Sequence, residues 1–456
     1  MRLTNIAAPP PPAATGDKKT LAARLSLPEG TLSVGIGLIL SGIGSVLFLR
    51  IVGSALDDRG TSQITALWFT TFALAPGLFL PLEQELGRAL SARRALGQGG
   101  RPLLRKVLLL GACLAGVVVI ATLAAGSWLA HSYFDRSWIM VIALVLAVAS
   151  YAPVHLSRGI CSGVGRFQSY AVVIGGDGAV RIVACIALSL VGIKSVGAFG
   201  FAVALAPLLG VIYIATRGQL KLDEGPPASW KEVTPNLGWL LLGSLMAAAL
   251  VNAGPIAINV LASKDTSGHQ LKTFFGKGVI LARIPLFMFQ AVQAALLPRL
   301  ARLATSGEMF EFRRGFKRLM GLVILVGAAG TIGAFVLGPF VMEHLFKAVL
   351  SRQTLAILAF GSALYMVALA AAQAVIALRG HALVALGWTV GMVSFIAALL
   401  VQRSEEVVHR VEISLLIGSG AAMVSFLMAL RSKLASGAEF DRALIVETAL
   451  DFPVES

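Results

Sequence analysis

The chain has 456 residues, of which 57% are hydrophobic and only 13% charged, and its mean hydropathy is +0.83. A soluble protein of ordinary composition carries about a quarter charged residues, so a water-soluble globular enzyme is excluded. The net charge of +15 comes in short basic stretches between apolar blocks, which argues against a nucleic-acid partner, and Cys113, Cys161 and Cys185 lack the paired spacing of a disulfide framework or metal site.

Residues 1–30 read as a disordered cytoplasmic arm, with Pro9 to Pro12 in a row and then Lys18, Lys19 and Arg24. The apolar block that follows is too long for the h-region of a signal peptide, so no cleaved leader is expected. Apolar blocks fall at 31–51, 63–81, 107–130, 138–158, 169–191 and 195–215, and again at 236–262, 274–297, 319–338, 353–377, 383–402 and 411–430. Each is continuous and close to the ~20 residues that cross a hydrocarbon core. Backbone in lipid must satisfy its own hydrogen bonds, so each block is expected to be a helix. The expected fold is an all-α polytopic membrane protein of about twelve transmembrane helices. Lys and Arg concentrate in the arm, the even-numbered loops and the tail, which places both termini in the cytoplasm and the chain in the cytoplasmic (inner) membrane.

The longest break carries Glu224-Gly225-Pro226-Pro227. It divides the chain into an N-lobe at 31–216, a cytoplasmic loop at 217–235, a C-lobe at 236–431 and a disordered cytoplasmic tail at 432–456. Gln84-Glu85-Leu86-Gly87-Arg88-Ala89-Leu90-Ser91 after the second block is echoed by Pro298-Arg299-Leu300-Ala301-Arg302-Leu303-Ala304-Thr305 after the eighth. A second basic cluster follows each, Arg105-Lys106 and Lys317-Arg318. A repeat in one orientation predicts two lobes related by an axis along the membrane normal. The competing reading is that any cytoplasmic helix end is rich in arginine.

A charge inside the bilayer costs at least ~2.5–3.5 kcal/mol on insertion scales, so three arginines within apolar blocks stand out. Arg283 is followed by Pro285, which removes a backbone donor and bends a helix. Gln290 lies seven residues on, on the same face. The pattern suits a polar cavity wall, with snorkelling to headgroups as the competing reading. Arg50 has Ser54 and Asp57 at spacings of four and seven, on one face if the helix continues, and snorkelling is equally open there. Arg181 has Asp177 four residues earlier, the spacing of an intrahelical ion pair; a structural pair is favoured. Asp177 is also the acid deepest in an apolar block, so ion coupling points to it first. Asn252 and Asn259 share a face of the seventh helix, and Gly254-Pro255 between them is expected to break it, as in helices that line transport sites. Packing by asparagine is the alternative. Ser150, Tyr151 and His155 beside Pro153 form a weaker patch of the same kind.

No Walker loop, His-Glu-x-x-His or dinucleotide glycine motif is present, so no enzyme and no cofactor are expected. Asp57-Asp58 in the first external loop leaves open a membrane-embedded glycosyltransferase, but the external loops are short for an acceptor domain. A scaffold without transport is a third reading.

Taken with the two six-helix lobes, Arg283-Ile284-Pro285-Leu286-Phe287 leading to Leu296-Leu297-Pro298-Arg299, Arg158-Gly159 through Gly165-Arg166-Phe167, and Arg379-Gly380-His381 resemble the polysaccharide-export branch of the multidrug/oligosaccharidyl-lipid/polysaccharide superfamily. The resemblance implies a MATE-like pair of lobes that flips a polyprenyl-pyrophosphate-linked glycan by alternating access. Its partners would be the lipid-linked oligosaccharide, membrane lipids, and a glycan polymerase or glycosyltransferases. It also implies arginines in the first and eighth helices facing the cargo, roles that Arg50 and Arg283 would fill, with Arg181, Gln290, Asn252 and Asn259 as further candidates. The planar donor fork of arginine suits pyrophosphate. A cation-coupled multidrug antiporter is the runner-up, weakened by the absence of a carboxylate in the first helix before Asp57.

Overall fold

In the computed structural model the described residues are 31–233, 235–287, 289, 303–304, 306–402 and 406–450. They form twelve helices of seventeen residues or more: α1 Thr31–Ala55, α2 Asp58–Ala95, α3 Arg101–Ala124, α4 Trp138–Gly163, α5 Phe167–Leu190, α6 Val196–Thr216, α7 Leu237–Leu261, α8 Thr266–Ala282, α9 Met309–Val336, α10 Arg352–Ala377, α11 His381–Val401 and α12 Val407–Leu450. Among the described residues no strand occurs. Eleven helices are long and apolar enough to cross a membrane. The exception is α8, and residues 290–297 of its apolar block lie outside the described residues.

Local chemistry sets the boundaries. Asp57 caps α2 by accepting from the Gly60 N–H at 2.8 Å, and Ser351 caps α10 by accepting from the Thr354 N–H at 3.0 Å; such side chains satisfy amides that open a helix. At the end of α4 the chain turns through Gly165 at φ +79°, a left-handed conformation that costs glycine little. Two helices outrun their apolar blocks. α2 continues past 81 to Ala95, which brings Glu83 and Glu85 into the bundle. α12 continues to Leu450, so the tail from 432, expected to be disordered, is helical that far; its alanines and leucines favour helix. The arm at 1–30 lies outside the described residues.

Packing partners repeat with an offset of six helices. α1 packs on α5 as α7 packs on α11, α4 on α6 as α10 on α12, α5 on α6 as α11 on α12, and α3 on α4 as α9 on α10. Close approach is built the same way in both halves. A methyl group on Gly44 of α1 would stand 3.2 Å from the Gly178 Cα of α5, and one on Gly243 of α7 would stand 3.3 Å from the Ala385 Cα of α11. Small residues at a crossing let backbones meet where no hydrophobic effect drives helices together. The halves meet mainly through α2 on α7, with α8 against α1 and α2.

The segment between the halves is fastened to one of them. Arg93 of α2 pairs with Glu232 at 2.7 Å and also donates to the carbonyls of Gly99, Pro226 and Pro227. The hydrogen bond from Arg93 holds the Glu232 carboxyl below the usual carboxylate range.

Candidate functional site

At one end of the bundle, away from the arginine-rich ends of α2 and α9, the halves are joined by polar contacts. Between α3 and α4 the chain makes a π-helical turn at Leu129–Tyr133 and then takes positive φ at Asp135 and Arg136. This wide turn leaves its carbonyls free to accept from outside. Asn259 of α7 donates to the Tyr133 carbonyl at 3.0 Å, and Lys264, just before α8, donates to that of His131 at 3.1 Å. Beside them, Ser62 of α2 bonds His269 of α8 at 2.9 Å, and Gln270 donates to Asp58 at 2.9 Å. Asp135 stands 3.5 Å from the other nitrogen of His269. The start of α8 is itself held by Asp265, whose carboxylate accepts from the Ser263 hydroxyl, the Gly268 N–H and the Ser267 hydroxyl. Those three donors depress its pKa to about 2.

Deeper in the seam, cations gather. Lys277 of α8 is 4% exposed; its ammonium donates to the Phe346 carbonyl at 3.0 Å and lies against Gly53 of α1, close enough to both Arg50 and Asp58 for their charges to interact. One and a half turns on, α8 stops at Arg283, where Pro285 withholds a backbone donor. Arg283 donates to the Asn252 side-chain carbonyl at 3.1 Å and to the Val251 backbone carbonyl, and its guanidinium lies 5.4 Å from the centre of the Phe69 ring of α2. It borders a small cavity inside the C-terminal half, lined by Tyr365, Ser362, Ser419 and Pro255 among others. Among the described residues, no carboxylate lies within ion-pair distance of Arg50, Lys277 or Arg283.

The buried acids of the N-terminal half are, by contrast, held by arginine. Asp177 stands 2.6 Å from Arg181 and accepts from the Tyr151 hydroxyl at 3.2 Å. The Arg181 guanidinium is 2% exposed and lies 4.3 Å from the centre of the Trp68 ring, within the range of a cation–π contact. A second group joins α2, α4 and α5: Glu83 bonds His155 at 2.7 Å, pairs with Arg158 at 3.1 Å and accepts from the Tyr170 hydroxyl at 2.8 Å.

No family model matches the chain, and no curated protein does. Solved structures do match. One is an inward-facing conformation of a multidrug resistance MATE family transporter of the MOP superfamily, at 15% identity, covering 90% of this chain and 98% of that one with a TM-score of 0.67. The chain has a MATE-like fold. An outward-facing conformation of such a transporter aligns at 15% identity over 90% of this chain and 96% of the other, with a TM-score of 0.67. A variant of the Vibrio cholerae MATE transporter VcmN aligns at 12% identity over 89% and 96%, also at 0.67.

Within this MATE-like frame the sequence candidates separate. Arg50 of α1 lies near Lys277 of α8, whereas Arg283 at the end of α8 is joined to Asn252 of α7. Asn259 does not share that site; it bonds the loop between α3 and α4 in the other half. The expected break at Gly254-Pro255 is absent, and α7 runs unbroken from Leu237 to Leu261. Proline in a membrane helix is tolerated where neighbouring helices support the freed backbone, and here Arg283 binds the Val251 carbonyl, four residues before Pro255. The Arg50, Ser54 and Asp57 face does not form either, because α1 ends at Ala55 and Asp57 turns to cap α2. Arg181 and Asp177 pair inside the N-terminal half, the favoured sequence reading. Gln290 lies outside the described residues. The sequence reading misses Lys277, which sits three residues into its apolar block. It also misses the Glu83 group, since hydropathy ends the second block at 81. Glu412, 3% exposed near the start of α12, is a further buried acid at a block edge.

Proposed function

We propose that this chain is a membrane transporter that flips a polyprenyl-pyrophosphate-linked glycan from the cytoplasmic to the outer leaflet by alternating access of its two lobes. The observation that carries the proposal is the charge of the seam. Arg50, Lys277 and Arg283 present three cations there with no carboxylate paired to them among the described residues, whereas Asp177 and Glu83 are each bound to arginine. A cationic surface in a low-dielectric environment favours an anionic headgroup and repels a cationic drug. Among the described residues Arg283 donates to Asn252 and Val251 alone, and the planar donor fork of arginine suits pyrophosphate.

On this reading the arginine-rich end faces the cytoplasm, and the contacts of Asn259, Lys264, His269 and Gln270 close the outer side. Both termini are then cytoplasmic. Glycosyltransferases that build the lipid-linked glycan and a polymerase that extends it are the expected partners. Asp57 and Asp58 do not favour the glycosyltransferase alternative, since one caps α2 and the other accepts from Gln270. Cation-coupled multidrug export is the second reading. It is favoured by the aspartate at 177, a place for a coupling ion, and by the multidrug resistance role of the matched MATE transporters.

Replacing Arg283 with Ala should abolish surface display of the glycan while the protein still reaches the membrane, with lipid-linked glycan accumulating in the cytoplasmic leaflet. Normal display by that variant would overturn the cargo reading. Loss of drug resistance without any change in glycan would favour the second.

A further inference from the structure

The basic cluster that opens α9 takes no part in the cationic seam. At the arginine-rich end α9 and α12 each pack on α10, and a groove of about 610 Å³ opens between them. Its floor is apolar: Phe312 and Leu430 are buried, and Phe316 and Leu434 are half-buried. Its rim is cationic, formed by Arg313 and, one turn on, Lys317 of α9, with Arg431 of α12 opposite; all three are exposed. Arg313 spans the groove and donates to the Leu434 carbonyl at 2.9 Å. Among the residues whose side chains are described, which in α12 end at Ala435, no carboxylate pairs with any of the three; Glu311 stands 3.9 Å from Arg314 instead. Beside the groove the outer face of α12 is apolar, with Met428 67% exposed.

The equivalent place in the other half is occupied. By the offset of six helices, α3 and α6 correspond to α9 and α12. There the inter-lobe segment crosses the basic start of α3. Glu224 pairs with Arg101, the Arg101 N–H donates to the Asp223 carbonyl at 3.1 Å, and the Lys106 ammonium lies 5.0 Å from the centre of the Trp230 ring. An acidic peptide with one aromatic group thus covers that basic end. The basic start of α9 meets no such cover among the described residues.

We propose that the groove between α9 and α12 binds an acidic phospholipid of the leaflet at the arginine-rich end. Its phosphate sits among Arg313, Lys317 and Arg431, and an acyl chain lies along Phe312, Phe316 and Leu430. Charge complementarity selects the headgroup, the apolar floor selects a lipid over a free anion, and basic side chains beside membrane helices bind acidic lipids in this way. The inference stands apart from the cargo reading, since it concerns a groove on the outside of one half.

The test is native mass spectrometry of the purified full-length protein with phosphatidylglycerol or phosphatidylcholine of matched chain length. The wild-type protein should retain phosphatidylglycerol preferentially. In Arg313→Gln, Lys317→Gln and Arg431→Gln variants, singly and combined, that affinity should fall about fivefold per charge removed. Retention of phosphatidylcholine should not change, which also reports that the variants are folded. Equal retention of the two lipids by the wild type, or a preference that survives in the triple variant, would overturn the proposal. So would a polyprenyl phosphate that binds through these residues and is not displaced by phosphatidylglycerol, an outcome that would make the groove a cargo entrance.

Discussion

Two arginines set within membrane helices differ in role because their neighbours differ. Arg181 has a carboxylate 2.6 Å away and an indole face against its guanidinium, so its charge is spent within one lobe. Among the described residues Arg283 has only neutral acceptors, the Asn252 side chain and the Val251 carbonyl. Removing one member of a buried ion pair leaves the other uncompensated, at a cost of about 3–5 kcal/mol, whereas removing both is far milder. Arg181→Ala and Asp177→Ala should therefore each lower the thermal unfolding midpoint of the purified protein more than the double substitution does. Additive losses in the double variant would refute a structural pair and return Asp177 to the role of coupling site.

At the scale of the helix, the two lobes depend on glycine where helices cross. Gly44 is buried against Gly178 with no room for a side chain, and Gly243 meets Ala385 in the equivalent crossing. Inserting bulk into such a contact costs about 1–3 kcal/mol. Gly44→Val should destabilise the protein by that amount, read as a lower midpoint in a thermal melt, while Gly35→Val, with nothing within 4 Å of an added methyl group, should melt as the wild type does. Equal melts for the two variants would show that α1 and α5 are not held by this approach. The same scale explains α7. Proline at 255 signals a break by its chemistry alone, and the helix survives because a neighbouring arginine meets the carbonyl that the proline leaves unpaired.

For the whole molecule, the contacts that join the two lobes at the proposed outer end must break if that end is to open. A neutral hydrogen bond contributes about 0.5–1.5 kcal/mol, so each lost contact shifts the balance of states by roughly fivefold. Thr65, buried on α2 close to Gly276 of α8, offers a reporter. With the native cysteines replaced and Thr65→Cys introduced, Asn259→Ala should raise the rate of labelling by a membrane-impermeant maleimide about fivefold. An unchanged rate would mean that the Asn259–Tyr133 contact does not hold the lobes together.

The sequence by itself determined that this chain lies in a membrane as helices, since length and apolarity decide that locally. It also pointed to a repeat with an offset of six, which the packing of the helices displays, because an order of hydrophobic and basic segments survives when individual residues do not. Arg181 with Asp177 was legible for the same reason: four residues along one helix is a local relation. What only the tertiary structure decided was which charges face one another across the lobes. Lys277 meets Gly53 and Phe346, Glu83 meets His155 and Tyr170, and Asn259 meets a loop 126 residues away. None of these spacings carries a period. The division between cations that are paired with a carboxylate and cations that are not is set by packing between helices distant in the chain, where a charge excluded from lipid must find its partner in another helix.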